Sequence, residues 1–549
     1  MSSEYIWYTP LSEQFLQRSC LLPDQTINER FNIIVDEHDR RLGIKGFKDE
    51  FLGYIKQGFY SLSTPNMSNT GTDRGLPISC FGTHIDDSMD SIADAWAEIC
   101  IMTKMGGGTS AYFGDIRPRG APIKDNGESS GAVHFMRAFD NLISLVSQGK
   151  TRRGNMAAYL PIDHPDVDEF LKIKSEGDPI QDLSFGVCVT RDWLKEMKGG
   201  DKKKRETWAK VLTARQNLGY PYIFFTDNAN EGAPDCYRLA GMKINHSNLC
   251  TEIMLPNNSF ESFVCNLSSM NLRYYDEWKN TNAVKLLTYF LDSVLSEFID
   301  KAEGMKHMER PVNFAKRHRS IGIGVFGWHS YLQHNMIPYE SMEAKLLNAQ
   351  IFKTIQSQAY EASAELAQMF GEPEVCKGYG RRNSTLLAVA PTKSSAFVFG
   401  QESEGTEPFR TNLEIKDLAK GKFYVRNKYL EKLLVEKDRN TEETWDRIIK
   451  SGGSVQTLEF LSSHEKSVFK TFQEISPKEV IIQAAGRQKY IDQGQSINLM
   501  IHPDMPTKEV NALILFAEEL GIKSLYYQYS VNAAQEFSRE LLECVSCSA

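Results

Sequence analysis

The amino-acid sequence predicts an α/β protein whose central sheet contains parallel strands. Short, wholly apolar runs alternate along most of the chain with longer amphipathic segments. The apolar runs include Phe185–Val189, Tyr222–Phe225 and Leu386–Val389, and the amphipathic segments include Ala283–Ala302 and Met342–Phe370. Continuous apolar runs are typical of strands buried on both faces, and intervening helices are typical of parallel connections.

The first part of the chain departs from this alternation. Residues 1–60 carry helical patterns such as Ile27–His38 and Phe47–Tyr60, with apolar positions recurring at intervals of three and four. We therefore predict a helical amino-terminal region.

A second departure interrupts the main α/β region, which we place at 61–530. Residues 402–480 are rich in charge and contain helical patterns, among them Asn427–Lys437 and Thr441–Ile449. They predict a helical insertion within the catalytic region. Beyond it, 531–549 is expected to form a flexible polar tail that ends in a Cys-x-x-Cys sequence.

Composition and charge narrow the classes of function. The 549 residues carry a formal net charge of −8, whereas chains that hold nucleic acid by its phosphates are usually basic. No apolar stretch is long enough to span a membrane, and no signal peptide is visible. Ten cysteines are too few for a disulfide scaffold in a chain of this length. We therefore expect a reducing, cytoplasmic location, in which cysteines that matter are catalytic or bind metal.

Two patterns suggest ligands but lack the required context. Gly322-Ile-Gly324-Val-Phe-Gly327 fits a dinucleotide-binding motif, but a basic polar segment precedes it where the motif needs a strand, so a tight packing turn is expected. Cys544 and Cys547 have no second Cys-x-x-Cys or His pair with which to bind zinc. No Glu-x-x-His pair of a di-iron site is present either. We predict no metal site in this chain.

The segment NHSNLCTEIMLP places a hydrogen-bonding amide, a thiol and a carboxylate at alternate positions: Asn248, Cys250 and Glu252. In an extended loop the three side chains would project to one side. A chance trio in a loop is the equally weighted alternative. Two more cysteines, Cys80 and Cys265, lie in strand-like runs and could supply two electrons as a dithiol that becomes a disulfide.

Six separated motifs occur together in the chain. They are Cys80 after SLSTPNMSN, Asn248-x-Cys250-x-Glu252, Cys265 in CNLSSMNL, PTKSS, Tyr526-Tyr527 in SLYYQYS, and the terminal Cys544-x-x-Cys547. In this order they closely resemble the large subunits of class I ribonucleotide reductases, over about residue 50 to the end. The resemblance implies a ten-stranded α/β barrel of two antiparallel halves, each of five parallel strands, with Cys250 on a central finger loop.

The resemblance also implies how the chemistry is divided. Cys250 is expected to become a thiyl radical that abstracts the 3′-hydrogen of a ribonucleotide, and Glu252 to accept the 3′-hydroxyl proton. Asn248 is expected to hold the sugar hydroxyls. Cys80 and Cys265 are expected to protonate the leaving 2′-hydroxyl and supply the reducing electrons.

Binding roles follow from the same resemblance. The substrate phosphates are expected to lie between Thr64 and Ser79 on one side and Thr392, Ser394 and Ser395 on the other, where hydroxyl and backbone N–H groups can gather around an anion.

Allosteric nucleotides are expected at a second position. Deoxynucleotide or ATP effectors would bind at a homodimer interface through Asp87, Ser88 and Arg117. The segment Gln148–Met156, with Arg152, would communicate with the active site.

The tyrosine pair decides the class. Adjacent strand aromatics would ordinarily point to opposite faces and pack, but in this family Tyr526 and Tyr527 relay a radical from a separate, metal-containing small subunit. No cofactor is therefore expected in this chain itself.

Thioredoxin or glutaredoxin is expected to re-reduce the tail thiols Cys544 and Cys547. Neither nucleic acid nor a membrane is an expected partner.

Two departures and two alternatives accompany this resemblance. Thr64 lies too near the start for the amino-terminal ATP-cone of many relatives, so a short form without that control is expected. The 402–480 excursion is longer than expected.

The alternatives are a class II, adenosylcobalamin-dependent reductase and a catalytically silent nucleotide-binding regulator. A glycyl-radical enzyme is disfavoured because a glycyl-radical loop is absent from the carboxyl-terminal sequence.

Overall fold

The computed structural model describes residues 4–148, 152–418 and 421–530. The strands are β1 (Tyr60–Leu62), β2 (Cys80–His84), β3 (Thr109–Tyr112), β4 (Ser147–Gln148), β5 (Arg152–Arg153), β6 (Met156–Pro161), β7 (Ser184–Val189), β8 (Tyr222–Phe225), β9 (Phe263–Asn271), β10 (Ile321–Phe326), β11 (Leu413–Leu418), β12 (Gly421–Arg426), β13 (Leu499–Ile501), β14 (Ser524–Leu525) and β15 (Gln528–Ser530).

The described residues also form α-helices. They are α1 (Pro10–Ser19), α2 (Ile27–Leu42), α3 (Phe47–Lys56), α4 (Thr64–Asn69), α5 (Met89–Lys104), α6 (Ala132–Leu145), α7 (Val167–Phe170), α8 (Arg191–Gly199), α9 (Lys202–Leu218), α10 (Thr226–Glu231), α11 (Asp235–Arg238), α12 (Tyr275–Trp278), α13 (Ala283–Ala302), α14 (Glu309–His318), α15 (Trp328–His334), α16 (Met342–Phe370), α17 (Lys393–Val398), α18 (Lys428–Glu436), α19 (Glu442–Lys450), α20 (Ser463–Val468), α21 (Pro477–Gln488) and α22 (Thr507–Glu519). Short 3₁₀ turns cover Leu272–Tyr274 and Glu374–Cys376.

Half of the barrel is a parallel sheet with the strand order β2, β3, β6, β7, β8. Every residue of β7 and β8 is buried, which explains why these strands are continuous apolar runs rather than alternating ones. Helices or helix-containing segments connect successive strands, as parallel pairing requires.

The other half is also parallel. β9 pairs with β10, single bridges join Ile323 to Leu387 and Val389 to Gln495, and β13 pairs with β15. The halves meet at two antiparallel seams, one where β2 pairs with β9 and one where β8 pairs with β14. When 495–501 and 524–530 are each counted as one strand, the second half also has five strands. The two parallel halves run in opposite directions, which confirms the predicted barrel.

The agreement between predicted and observed elements is closest where hydrophobic periodicity is strong. The strand β8 and the helices α13 and α16 have the predicted bounds. The run Leu386–Val389 is less regular, because it joins its neighbours only through single bridges.

The glycine-rich motif has a different conformation from the predicted turn. Gly322 and Gly324 lie within β10, not in a turn. A Cβ atom on Gly322 would lie 2.5 Å from the Leu267 side chain, and one on Gly324 would lie 2.8 Å from the Ala388 carbonyl oxygen. The glycines therefore allow neighbouring strands of the sheet to pack closely.

The segment 402–480 has a small core of its own. It contains α18, α19 and α20 and, in addition to the expected helices, the antiparallel hairpin β11–β12. Leu430, Trp445 and Phe469 are among the buried residues of this second hydrophobic cluster. The core explains how so charged a segment stays folded, because its few apolar residues converge.

The amino-terminal helices pack against the barrel rather than apart from it. α2 and α3 contact α13, and α1 contacts α17. Across the described ranges, no helix combines the length and apolar character needed to cross a membrane.

Candidate active site

The loop that carries Asn248, Cys250 and Glu252 is held by both halves of the barrel. The Tyr159 hydroxyl on β6 donates to the Asn248 carbonyl oxygen at 2.7 Å. From the opposite half, the Gly494 N–H donates to the Glu252 carbonyl oxygen at 2.8 Å. The loop therefore crosses the inside of the barrel, where Asn248 and Glu252 are almost completely buried.

The loop is not extended, so the predicted alternation of side chains is wrong. Thr251 has φ of 67° and makes a turn at the tip. The Asn248 side-chain oxygen accepts from the Ile253 N–H at 3.0 Å, which closes that turn. Cys250 is thus presented at the tip of a compact turn, while Asn248 also fixes the backbone beside Glu252.

Glu252 is a buried carboxyl group with few partners. Burial raises its pKa to about 7, since water no longer stabilises the charged form. The Ser496 hydroxyl donates to the Cys250 carbonyl oxygen, and its oxygen lies 3.3 Å from Glu252 Oε2. Ser496 thereby ties the carboxyl group to the cysteine. A carboxyl with this pKa can accept and return a proton near neutral pH.

The other two predicted cysteines face each other across a seam of the barrel. Cys80 on β2 is the register partner of Cys265 on β9. Directly opposed residues of an antiparallel pair have Cα atoms about 4.5–5.5 Å apart, within the range found across disulfides. Both side chains are thiols in this structure. The register therefore permits oxidation to a disulfide with little backbone movement.

The surroundings of the two thiols differ. Cys265 is fully buried, and burial raises the pKa of its thiol well above the usual range. Gln493 Nε2 donates to Cys265 Sγ at 3.5 Å. Cys80 is partly exposed, and Asn248 Nδ2 donates to its Sγ at 3.5 Å. Asn248 thus links the thiol pair to the loop that carries Cys250.

The residues expected to hold phosphate lie on neighbouring elements. Thr64 begins α4 just after β1, and Ser79 immediately precedes Cys80. Ser394 and Ser395 lie in the first turn of α17, which packs against β1. Thr392 has φ of 57°, and its hydroxyl accepts from the Gly405 N–H at 2.7 Å.

The residues expected to bind effectors are partly brought together. Arg117 Nε lies 2.7 Å from Asp87 Oδ2 in a surface ion pair. Ser88 caps α5, and its hydroxyl accepts from the Ser91 N–H. Residues 149–151 of the predicted communicating loop, and the side chain of Arg152, lie outside what the structure describes.

Tyr526 and Tyr527 occupy the interruption between β14 and β15. Their ring centroids are 4.1 Å apart, and both side chains are almost completely buried. The strand is broken here, so the two rings do not point to opposite faces as adjacent strand residues would. Cys544 and Cys547 lie outside the described residues.

Several contacting residues were not predicted from the sequence. Tyr159, Gln493 and Ser496 support the loop and the thiols, and Tyr220 and Tyr222 flank the tyrosine pair. The sequence predicted that the aromatic run around Tyr222 forms a strand. It did not indicate that this run contacts Tyr527. Among the residues that the structure describes, no group of three potential ligands could hold a metal ion.

This fold and this site define a class of protein: an α/β-barrel enzyme with a dithiol and a cysteine-bearing loop in its interior. A family model described as the barrel domain of ribonucleotide reductase matches residues 78–204, 194–375 and 372–528. The chain therefore belongs to the ribonucleotide reductase family.

Individual relatives define the subunit. The ribonucleoside-diphosphate reductase large subunit of Invertebrate iridescent virus 3 is 34% identical over 86% of this chain and 86% of its own length. That of Caenorhabditis elegans is 29% identical over 88% of this chain and 71% of its own. The Actinobacillus ureae class Id ribonucleotide reductase alpha subunit superposes with a TM-score of 0.92 at 52% identity, over 99% of this chain and 100% of that one. The chain is accordingly a catalytic large subunit of ribonucleotide reductase.

Proposed function

We propose that this chain reduces ribonucleoside diphosphates, with Cys250 as the radical-bearing residue. The observation that carries the proposal is the link from the opposed thiols, Cys80 and Cys265, through Asn248 to the loop of Cys250. The diphosphate form is supported by the names of the relatives. Assaying each nucleoside diphosphate and triphosphate with a radical-generating small subunit tests it, and exclusive reduction of triphosphates would contradict the substrate assignment.

The overall reaction balances with the thiols present. A Cys250 thiyl radical takes the 3′-hydrogen and later returns a hydrogen to that carbon. The 2′ C–O bond breaks, water leaves, and a hydrogen replaces the hydroxyl. Cys80 and Cys265 together lose two electrons and two protons and become a disulfide. Burial inside the barrel keeps water away from the radical intermediates.

Glu252 is proposed as the base for the 3′-hydroxyl proton. Its carboxylate form is needed, and the fraction of carboxylate rises as the pH rises through its pKa of about 7. The neighbouring amide of Asn248 is proposed to orient the sugar hydroxyls. Thr64, Ser79, Thr392, Ser394 and Ser395 are proposed to bind the phosphates through hydroxyl and backbone N–H groups.

We expect the pH profile of kcat/KM to report Glu252 directly. The rate should rise with pH and level off above about pH 7, because protonated Glu252 cannot accept the substrate proton. In Glu252→Gln this acid limb should disappear and activity should fall about 10²–10⁴-fold. An unchanged acid limb in the variant would assign the titration to another group.

Radical supply is proposed to come from a separate, metal-containing small subunit, since the similar Actinobacillus ureae protein is named the alpha subunit of a class Id enzyme. Tyr526 and Tyr527 are proposed to carry the radical inward. The ring separation of 4.1 Å supports a relay between them.

Allosteric control is proposed at the surface that carries Asp87, Ser88 and Arg117. The ion pair of Arg117 with Asp87 leaves both side chains about one-third exposed, so a nucleotide phosphate can compete for the arginine. Deoxynucleotide or ATP effectors bound there, at a homodimer interface, are proposed to select the substrate base through 148–156 and Arg152.

Turnover requires that the disulfide be reduced again, and Cys544 and Cys547 are proposed to do this by thiol–disulfide exchange. Thioredoxin or glutaredoxin would then reduce the tail. Replacing both tail cysteines by serine should stop multiple turnover with thioredoxin yet preserve about one turnover per chain from the prereduced Cys80 and Cys265. A small dithiol that enters the site is expected to restore turnover. Normal thioredoxin-driven rates would show that the tail is not the shuttle.

A further inference from the structure

A third buried tyrosine touches the proposed relay. Tyr220 lies two residues before the start of β8, and its phenolic oxygen lies 3.0 Å from that of Tyr527. The two rings meet edge to face, with centroids 5.1 Å apart and an interplanar angle of 81°. Tyr220 is 7% exposed and Tyr527 is 4% exposed. The two hydroxyl groups therefore meet in an environment from which water is almost excluded.

The position of the Tyr220 ring is fixed from several sides. It stacks on Phe185 of β7 with centroids 5.4 Å apart and an interplanar angle of 11°. The Ser184 hydroxyl lies 3.2 Å from the Tyr220 oxygen. Lys174 Nζ lies 5.5 Å from the ring centroid. These contacts hold the phenolic oxygen towards Tyr527, so their separation follows from the sheet rather than from a mobile side chain.

Phenol chemistry makes this contact significant for radical transfer. A tyrosine that loses an electron also loses its phenolic proton, because an oxidised phenol that keeps the proton carries a positive charge. A buried site of low polarity penalises that charge, and the Lys174 ammonium group beside Tyr220 penalises it further. Electron and proton must therefore move together, which requires a hydrogen-bonded partner within about 3 Å.

We propose that Tyr220 is a third radical-carrying tyrosine of this subunit, which exchanges a hydrogen atom with Tyr527 across their hydrogen bond. The proposal rests on the proposed relay through Tyr526 and Tyr527. In the exchange, one O–H bond breaks on one phenol and one forms on the other. One electron and one proton move together, so the step needs no reactant beyond the radical already supplied. Because both partners are phenols, neither direction is strongly favoured.

The competing explanation is that the hydroxyl pair is structural. A buried hydroxyl group costs stability unless it is hydrogen-bonded, and Tyr220 and Tyr527 satisfy each other. Tyr331 provides a matched control for this explanation. It lies in α15 and is 5% exposed, and its hydroxyl donates to Asp276 Oδ2 of α12 at 3.1 Å rather than to another tyrosine.

The direct test is to place 3-aminotyrosine, which is oxidised more easily than tyrosine and keeps the hydroxyl, at position 220. The full chain is mixed with a radical-generating small subunit, substrate and effector, and examined by electron paramagnetic resonance. We expect an aminotyrosyl radical whose spectrum changes when the amino nitrogen is ¹⁵N-labelled. The same replacement at Tyr527 should also trap a radical, and at Tyr331 it should not.

These controls distinguish a failure of the Tyr220 proposal from a failure of the proposed relay. A radical trapped at 527 but absent at 220 would overturn the role of Tyr220 and leave the relay intact. Absence at both positions would overturn the relay itself, and with it this inference.

A second variant measures the contribution to turnover. In Tyr220→Phe we expect kcat to fall about tenfold at unchanged KM, the factor given by losing one hydrogen bond in the rate-determining transfer. Tyr331→Phe should lose similar thermal stability and keep its kcat. If both variants keep the kcat of the parent chain and only their Tm falls, the role of Tyr220 is packing and not radical transfer.

Discussion

Replacing Cys250 by Ser is expected to reduce turnover to the assay background, a loss of roughly 10⁴-fold or more. The serine hydroxyl is similar in size to the thiol, but its O–H bond is too strong to yield the radical that abstracts the 3′-hydrogen. Cys250 lies at the loop tip and is partly exposed, so the stability cost should be about 1 kcal/mol. Substrate reduction with the small subunit present is the measurement.

Folding and binding distinguish a chemical loss from a structural one. The loop is held mainly by backbone contacts of Asn248 and Glu252, which Cys250→Ser leaves in place. The free energy of nucleotide binding, measured by calorimetry, and the free energy of unfolding should therefore each match the parent chain within about 1 kcal/mol. Appreciable reduction by this variant would show that another residue carries the radical.

Replacing Tyr526 or Tyr527 by Phe should also abolish reduction. The change keeps the ring, so the contact between the two rings at 4.1 Å centroid separation survives. It removes the O–H group, without which the residue cannot give up a hydrogen atom. Tyr527→Phe additionally loses the hydrogen bond with Tyr220, which should cost about 1 kcal/mol.

The control for these variants is Tyr331→Phe, which removes a hydroxyl that is hydrogen-bonded to Asp276 and not to either relay tyrosine. It should show a comparable loss of stability and normal turnover. Both relay variants should still fold, bind nucleotide and associate with the small subunit. Near-normal reduction by both would exclude the relay, and activity with adenosylcobalamin alone would assign the chain to class II.

The sequence predicted the helices and strands whose hydrophobic residues recur at one clear spacing. The helices α13 and α16 and the strand β8 begin and end where periodicity placed them, because each is long or apolar enough to override local signals. Barrel closure could not be obtained in this way. It depends on the antiparallel pairing of β2 with β9 and of β8 with β14, whose paired residues lie 185 and 300 positions apart in the sequence. Only the resemblance to a family predicted it.

The candidate site was predicted unevenly for a similar reason. Cys80, Cys250 and Cys265 carry distinctive chemistry, so they stand out in the sequence. The turn at Thr251 is set by tertiary contacts, including the Ser524 hydroxyl that donates to its carbonyl oxygen at 2.8 Å, and the extended loop was therefore a wrong prediction.

Supporting residues carry no such signal. Ser496 and Tyr220 belong to common residue types, and each meets the site only through folding across the barrel. The glycines of β10 were predicted to form a tight packing turn, but they lie in a strand and allow its neighbours to approach closely.

The most direct test is a single-turnover experiment on the prereduced chain in which Cys544 and Cys547 are replaced by serine, so that the tail cannot reduce the active-site disulfide. A radical-generating small subunit is present and no external reductant is added. The products are quantified, and disulfides are mapped by mass spectrometry after thiol blocking. The account predicts one disulfide between Cys80 and Cys265 for each deoxynucleotide formed, and no deoxynucleotide when either cysteine is replaced by serine. Deoxynucleotide formation with both thiols still reduced would contradict it.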